Sequence, residues 1–314
     1  MKLDNRIILI LIVAIGIYAI FLFISDYNVI SEKISNFKIG YLPLILFLVT
    51  ASWCPVFIKW HFLLKNCEID ISLTKNVIVF LSGLAFEITP GKLGALMKSQ
   101  ILKTNSNIPR TKTAPIVLVE KVYDLIGAIL ASIIGIIILG MEPYLIGIAI
   151  LVLGVVFLFM YYKPASELFF KRITKTKFFS KYVDNISESY QIIKQSTNVK
   201  IATICILLSV AYWFIVSAAV YYILLGFDIN MLDYLKVLAI YATSILLGVI
   251  SFIPAGIGIT EGTLTGLLTL EGVGISTALI LSVMIRILTL WYSVGIGFIA
   301  LKFTGAFSSR KDFS

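Results

Sequence analysis

Histidine, cysteine and charge are what this chain has least of. A single histidine, His61, stands among 314 residues, and with no second imidazole a His-based metal site is excluded. It closes an apolar run beside Lys59 and Trp60. The cysteines Cys54, Cys67 and Cys205 are scattered, two of them inside apolar runs, which suits neither a disulfide framework nor a metal cluster. There is also no nucleophile elbow, no GxxxxGK[ST] phosphate loop and no acidic DxD-like cluster on a loop. An enzyme is therefore left without a catalytic set, and no cofactor is expected.

Only 14% of residues are charged against 59% hydrophobic, a balance that excludes an ordinary soluble domain and places the chain among all-α polytopic membrane proteins. Lys2 and Arg6 precede an uncharged run from Ile7 to Ile24, followed by Ser25 and Asp26 rather than a small-residue cleavage site. This reads as a retained first span. Uncharged runs at Gly40–Ile58, Tyr144–Tyr162 and Ile201–Phe227 are long enough to cross as well. Two more, Thr113–Gly140 and Ile275–Leu301, cross with Glu120, Lys121 and Asp124 in the former and Arg286 in the latter. The expectation is about six full spans in one transmembrane domain over residues 1–314.

The net charge of +9 has to be read by location. Lys65, Lys75, Lys103, Arg110, Lys112, the 163–200 loop, Lys302, Arg310 and Lys311 fall on one side, and Lys33, Lys38 and Lys236 on the other. Positive-inside asymmetry then puts both termini in the cytoplasm of a cell with this protein in its plasma membrane. Nucleic acid is not called for. Within the 163–200 loop, eight basic residues outnumber three acidic ones, and Phe179, Val183, Ile186, Tyr190 and Ile193 recur at helical spacing. Either an amphipathic helix on the anionic inner leaflet or a solvated basic loop accounts for this.

Two stretches break the pattern. Val77–Phe86 is too short to cross and runs into TPGKLG beside Glu87, Lys92 and Lys98, which reads as a re-entrant hairpin with its second arm from Gly91 to about Lys103. Val237–Thr260 could cross, but SFIPAGIG interrupts it and Glu261 follows, so a second re-entrant hairpin is the reading that keeps the basic tail inside. When Pro90 is laid on Pro254, TPGKLG meets IPAGIG, Gly94 meets Gly258, and Glu120, Lys121 and Asp124 fall over the region of Arg286. The unit is span, re-entrant hairpin, span, used twice with inverted topology over about 39–140 and 200–303.

A helix that starts inside a membrane carries unpaired N–H groups and roughly half a positive charge, and so attracts anions. Pro90 suits a first helical turn, Gly91 and Gly94 allow close backbone approach, and Lys92 and Lys98 add full charge. The second hairpin offers Pro254, Gly256 and Gly258 ahead of an arm starting near Ile259. Its Glu261 either stabilises that helix start or takes part in coupling. Glu120 and Asp124 share a helix face, where Lys121 or Arg286 would neutralise them. Both a structural ion-pair network and an anion site fit these charges. In the anion reading, Lys92, Lys98, Lys121 and Arg286 hold a lipid phosphate, while Glu87, Glu120, Asp124 and Glu261 balance them when the site is empty.

The residues TPGKLG with Lys98, the run EKVYD from Glu120 to Asp124, and SFIPAGIGITEG resemble the transmembrane flippase-like domain of the lysylphosphatidylglycerol synthase family. The resemblance covers nearly the whole chain. It implies a domain that moves lipids with charged or sugar headgroups between leaflets, with a proline-glycine element at Pro90, Gly91 and Gly94. An acid-base element falls on Glu120, Lys121 and Asp124, and a second proline-glycine element on Pro254, Gly256, Gly258 and Glu261. Ala95 stands where many relatives carry an acid, and Lys121 replaces an arginine, which gives up bidentate phosphate geometry. The synthases' aminoacyl-transferase part would follow this domain, and the sequence ends at Ser314 without it. Two rivals stay open: a glycosyltransferase-like membrane enzyme acting on polyprenyl-phosphate lipids, and a non-transporting partner of a separate lipid synthase. A homo-oligomer is compatible with each.

Overall fold

Long apolar runs in a membrane leave backbone groups no partner but each other, which dictates helices. The computed structural model describes residues 35–138, 140, 144–161 and 186–304, and among them there are helices and no strands. In chain order these are α1 (Leu42–Asn66), α2 (Leu73–Leu84), α3 (Met97–Ser106), α4 (Arg110–Ile138), α5 (Tyr144–Tyr161) and α6 (Ile186–Ser196). They continue as α7 (Val199–Gly226), α8 (Tyr234–Ile250), α9 (Ile259–Leu270), α10 (Ile275–Arg286) and, after a π-helical turn at Ile287–Trp291, α11 (Tyr292–Phe303).

Among the described residues, four stretches are long and apolar enough to cross a membrane: Ile39–Asn66, Arg110–Ile138, Val199–Gly226 and Ile275–Phe303. The first runs past Ile58 to Asn66, which carries Lys59 into the bundle instead of leaving it at a helix end. α5 occupies the run expected at Tyr144–Tyr162. The expected span Ile7–Ile24, and residues 163–185 of the basic loop with Phe179 and Val183, lie outside the described residues.

α1 and α7 run antiparallel, tied at one end by Lys38 N donating to Gly226 O at 2.9 Å and at the other by Asn66 Nδ2 donating to Gln195 O at 3.1 Å. α4 packs against both α7 and α8, and Tyr123 Oη donates to the Ser196 carbonyl at 2.9 Å. Side-chain caps mark the helix starts: Asn198 accepts from Lys200 N at 3.2 Å and Asp233 from Lys236 N at 2.9 Å. In α6 the buried Ile192 and Ile193 join the bundle core, so this part of the basic loop meets protein with its apolar side. His61 is absorbed structurally. Its Nδ1 lies 2.9 Å from Asn76 Nδ2, and Asn76 Oδ1 accepts from the buried Trp60 Nε1 at 2.8 Å.

Two helix pairs fold back on themselves. The start of α3 returns against the end of α2, where the Lys98 Cγ lies 2.9 Å from the position a Cβ would take on Gly83. α8 ends at Ile250, and α9 returns against it with Gly256 packed on Gly248, so Val237–Thr260 is not one continuous helix. α11 crosses the end of α2 backbone to backbone: a methyl group on Gly297 would stand 2.2 Å from Ala85 N and 2.8 Å from its Cα. Small residues permit such crossings in membranes. Gly297→Ala is expected to destabilise the protein by about 1–3 kcal/mol. Thermal unfolding in detergent measures it, and an unchanged midpoint would mean that the two helices do not touch there.

Candidate functional site

The turns that join the two helix pairs lie against each other. Residues 85–96 hold their shape through Thr89, whose Oγ1 donates to Phe86 O at 2.8 Å and accepts from Gly94 N at 2.6 Å. A Cβ on Gly94 would come within 2.6 Å of both of those oxygens. Gly91 and Lys92 both have φ of 56°, in the left-handed region, so the 3₁₀-like stretch Pro90–Leu96 is interrupted and regular helix begins only at Met97. This corrects the expected second arm: no helix N-terminus is presented at Pro90, and the dipole argument does not apply to this turn. The helix start expected near Ile259 is present as α9.

Residues 251–258 are strained in the same way. Phe252 has φ of 54° and Ala255 of 56°, unusual for side chains of any size. Phe252 sets its ring against Gly91, with Cε1 2.9 Å from where a Cβ would be. Glu261 reaches back to cap the start of α9, its Oε2 accepting from Gly258 N at 2.7 Å. Its Oε1 accepts from Arg286 Nε at 2.9 Å, and another nitrogen of the same guanidinium donates to the Ala255 carbonyl. Arg286 thus stitches the end of α10 to the turn and to the first turn of α9. The π-helical turn that follows, Ile287–Trp291, is a form that recurs where helices are bent to a function.

Where the turns meet there is a narrow cleft with about 50 Å³ of room, lined by Glu87, Gly91, Lys92, Gly256 and Arg286 among others. Lys92 Nζ lies 3.9 Å from Glu87 Oε2, with both side chains part-exposed. Other parts of the lining were not anticipated from the sequence, among them the rings of Trp53, Tyr212 and Tyr241 and the hydroxyls of Ser52, Thr260, Thr289 and Ser293. A readable signal existed for two of them, because Thr289 and Ser293 follow Arg286 at helical spacing. Pro90, Gly94, Pro254, Gly258 and Glu261 shape the turns without lining the cleft.

The remaining charges pair among themselves. Lys98 pairs with Glu120, both buried, and its Nζ lies 4.0 Å from the centre of the Trp60 ring. Asp124 takes Lys121 at 2.9 Å and also Lys59, whose Nζ donates to Ser209 Oγ at 2.7 Å. Lys98 and Lys121 are therefore satisfied by carboxylates away from the cleft, while Lys92 and Arg286 reach it. Lys59 and Ser209 were not anticipated as members of this network. Nothing in the spacing of Lys59 points to α4.

Comparison with known proteins bears on this arrangement directly. The family model described as the lysylphosphatidylglycerol synthase TM region matches residues 9–297. The chain belongs to that family. The match takes in both turns, the Glu120–Asp124 run and Arg286 together. A curated protein named as a UPF0104 membrane protein, from Pyrococcus horikoshii, is 25% identical over 268 residues, covering 76% of this chain and 80% of the relative. Apolar helices and family membership together make this a multi-pass membrane protein.

Proposed function

We propose that the protein carries a lipid with a phosphate-bearing headgroup, anionic or glycosylated, from one leaflet to the other by alternating access. The observation that carries this reading is the cleft where two folded-back turns meet inside an apolar bundle, with Lys92 and Arg286 in its wall. Its 50 Å³ holds about three or four waters, too little for a headgroup. The turns must part to admit one, and closing again on the other side is transport. A lipid's acyl chains would stay in the bilayer throughout.

In the same reading, the two helix pairs are re-entrant hairpins of an inverted repeat, about 39–140 and 200–303, within about six spans. The membrane is the plasma membrane, with both termini cytoplasmic and the basic 163–200 loop facing the anionic inner leaflet. No bond of the lipid is made or broken. A separate lipid-modifying enzyme, or a second copy of the chain, is the partner this leaves room for.

The test is protein reconstituted in liposomes with labelled phosphatidylglycerol and a labelled glycosyl-phosphate lipid, each followed from one leaflet to the other. Lys92→Ala removes a charge-assisted contact and should slow protein-dependent crossing about tenfold or more. A rate equal to the wild type would remove the cleft as the site.

A further inference from the structure

The wall of the cleft is richer in acceptors than a phosphate can use. Ser52 of α1 donates its hydroxyl proton to Val49 O at 2.6 Å, and Ser293 of α11 donates to Thr289 O at 2.7 Å. With that proton spent on its own helix, each serine oxygen has only lone pairs to offer the cleft it lines. Glu87 adds a carboxylate whose ion pair with Lys92 spans 3.9 Å, beyond hydrogen-bond reach. Donors are present too. Tyr212 and Trp53 line the same wall, and neither the hydroxyl of the one nor Nε1 of the other has a hydrogen-bond partner among the described residues. Their rings are held in place, Trp53 stacked on Tyr292 with centroids 5.6 Å apart and Tyr212 edge-on to Trp213 at 5.3 Å.

A phosphodiester matches only part of this. Its oxygens accept and never donate, so it takes Lys92 and leaves the acceptors around it unpaired, which is unfavourable in an apolar interior. The rest of the headgroup must bring protons. An ammonium would bring them and would be drawn to the rings, but it would enter a narrow cleft already walled by Lys92 and Arg286. Glu261 is committed to the arginine, so Glu87 alone would offset both Lys92 and the newcomer. Hydroxyl groups donate without charge, and they also accept from Tyr212 and Trp53. Amphipathic rings suit the C–H faces of the carbons that bear them.

We propose that the site selects a headgroup with hydroxyl groups beside its phosphate, a polyol or a sugar, over one that ends in a plain alkyl group or an amine. This rests on the transport reading above. Lys92 takes the phosphate, Glu87, Ser52 and Ser293 accept from the hydroxyls, and Tyr212 and Trp53 donate to them. The serines and rings belong to α1, α7 and α11 rather than to the turns, so parting the turns widens the space in front of them. A headgroup without hydroxyls is rejected because it leaves these polar groups unpaired.

The experiment follows labelled lipids with equal acyl chains across liposomes holding the protein: phosphatidylglycerol, a phosphatidyl-linked hexose, phosphatidylethanol and phosphatidylethanolamine. Phosphatidylethanol has the charge of phosphatidylglycerol and no headgroup donor. Protein-dependent crossing of the hydroxyl-bearing pair should exceed that of the other pair about tenfold or more, and the faster of the first pair says whether polyol or sugar is the source. Tyr212→Phe and Glu87→Ala should each cut the preference for phosphatidylglycerol over phosphatidylethanol several-fold, whereas Lys92→Ala should slow both and keep their ratio. Phosphatidylethanol or phosphatidylethanolamine crossing as fast as the hydroxyl-bearing lipids overturns the selection and leaves transport standing. Variants of Tyr212 and Glu87 that both keep the full preference overturn the assignment to these residues. No protein-dependent crossing of any lipid removes the transport reading, and this one with it. Tyr212→Phe breaks no hydrogen bond among the described residues, so it decides the assignment should Glu87→Ala fail to fold.

Discussion

Arg286→Ala is expected to cost about 3 kcal/mol of stability, the lower end for breaking a buried ion pair, and to stop lipid crossing. The arginine and Glu261 are both buried, so deletion leaves a carboxylate without its cation in the bundle interior. The cost stays at the lower end because Glu261 still accepts from Gly258 N at 2.7 Å. A second loss comes from the Ala255 carbonyl, whose guanidinium donor disappears from a turn that already holds Phe252 and Ala255 at positive φ. Arg286→Lys separates charge from geometry. It keeps an ammonium near Glu261, but one compact group cannot reach two partners in different directions as the planar fork does. The lysine variant should therefore unfold close to the wild type and still transport poorly. In the Arg286→Ala background, Glu261→Gln should restore part of the stability, because the uncompensated charge is gone. Thermal unfolding in detergent and the liposome assay read the two effects separately. An Arg286→Ala protein as stable as the wild type would show that the pair holds nothing together.

How much of this could be read beforehand divides along physical lines. Pro-Gly breaks inside apolar runs are loud signals, since an exposed backbone in a membrane is so unfavourable, and both TPGKLG and IPAGIG are turns that meet at the cleft. Buried charge is equally legible, and every charged residue singled out in the spans has a carboxylate or ammonium partner. The pairing is not legible. Lys98 meeting Glu120 depends on the rotation of α3 about its axis, which no spacing within either helix encodes. The failed helix start at Pro90 has a similar origin. Proline is favourable at a first helical turn, but two consecutive left-handed residues, one of them Lys92, turn the chain away before a helix can propagate. Hydroxyls such as Ser52 and Ser293 escape notice because a serine bonded to its own helix looks the same in sequence whether or not it walls a cleft.

Gly248→Ala should be about as damaging, near the top of the roughly 1–3 kcal/mol range for overpacking, and the damage should be largely reversible by a second change. A methyl group there would lie 2.1 Å from Thr260 Oγ1 but 3.4 Å from Gly256 Cα, an ordinary contact. The obstacle is thus one hydroxyl, and Thr260→Ala should recover most of the loss, giving a strongly non-additive double-mutant cycle. Gly256→Ala makes the contrasting case. Its methyl group would meet the same hydroxyl at 2.6 Å, but also Gly248 Cα at 2.9 Å, and its φ of 66° is left-handed. Backbone cannot be trimmed, so Thr260→Ala should rescue Gly256→Ala little. The contrast bears on the transport reading as well as on packing, because Gly248, Gly256 and Thr260 all line the cleft, where α8 and the second turn approach through glycine. If Thr260→Ala rescued both glycine variants equally, backbone contact between α8 and the turn would not be what sets the cleft's width. If it rescued neither, the close approach of Thr260 to Gly248 would be absent from the folded protein.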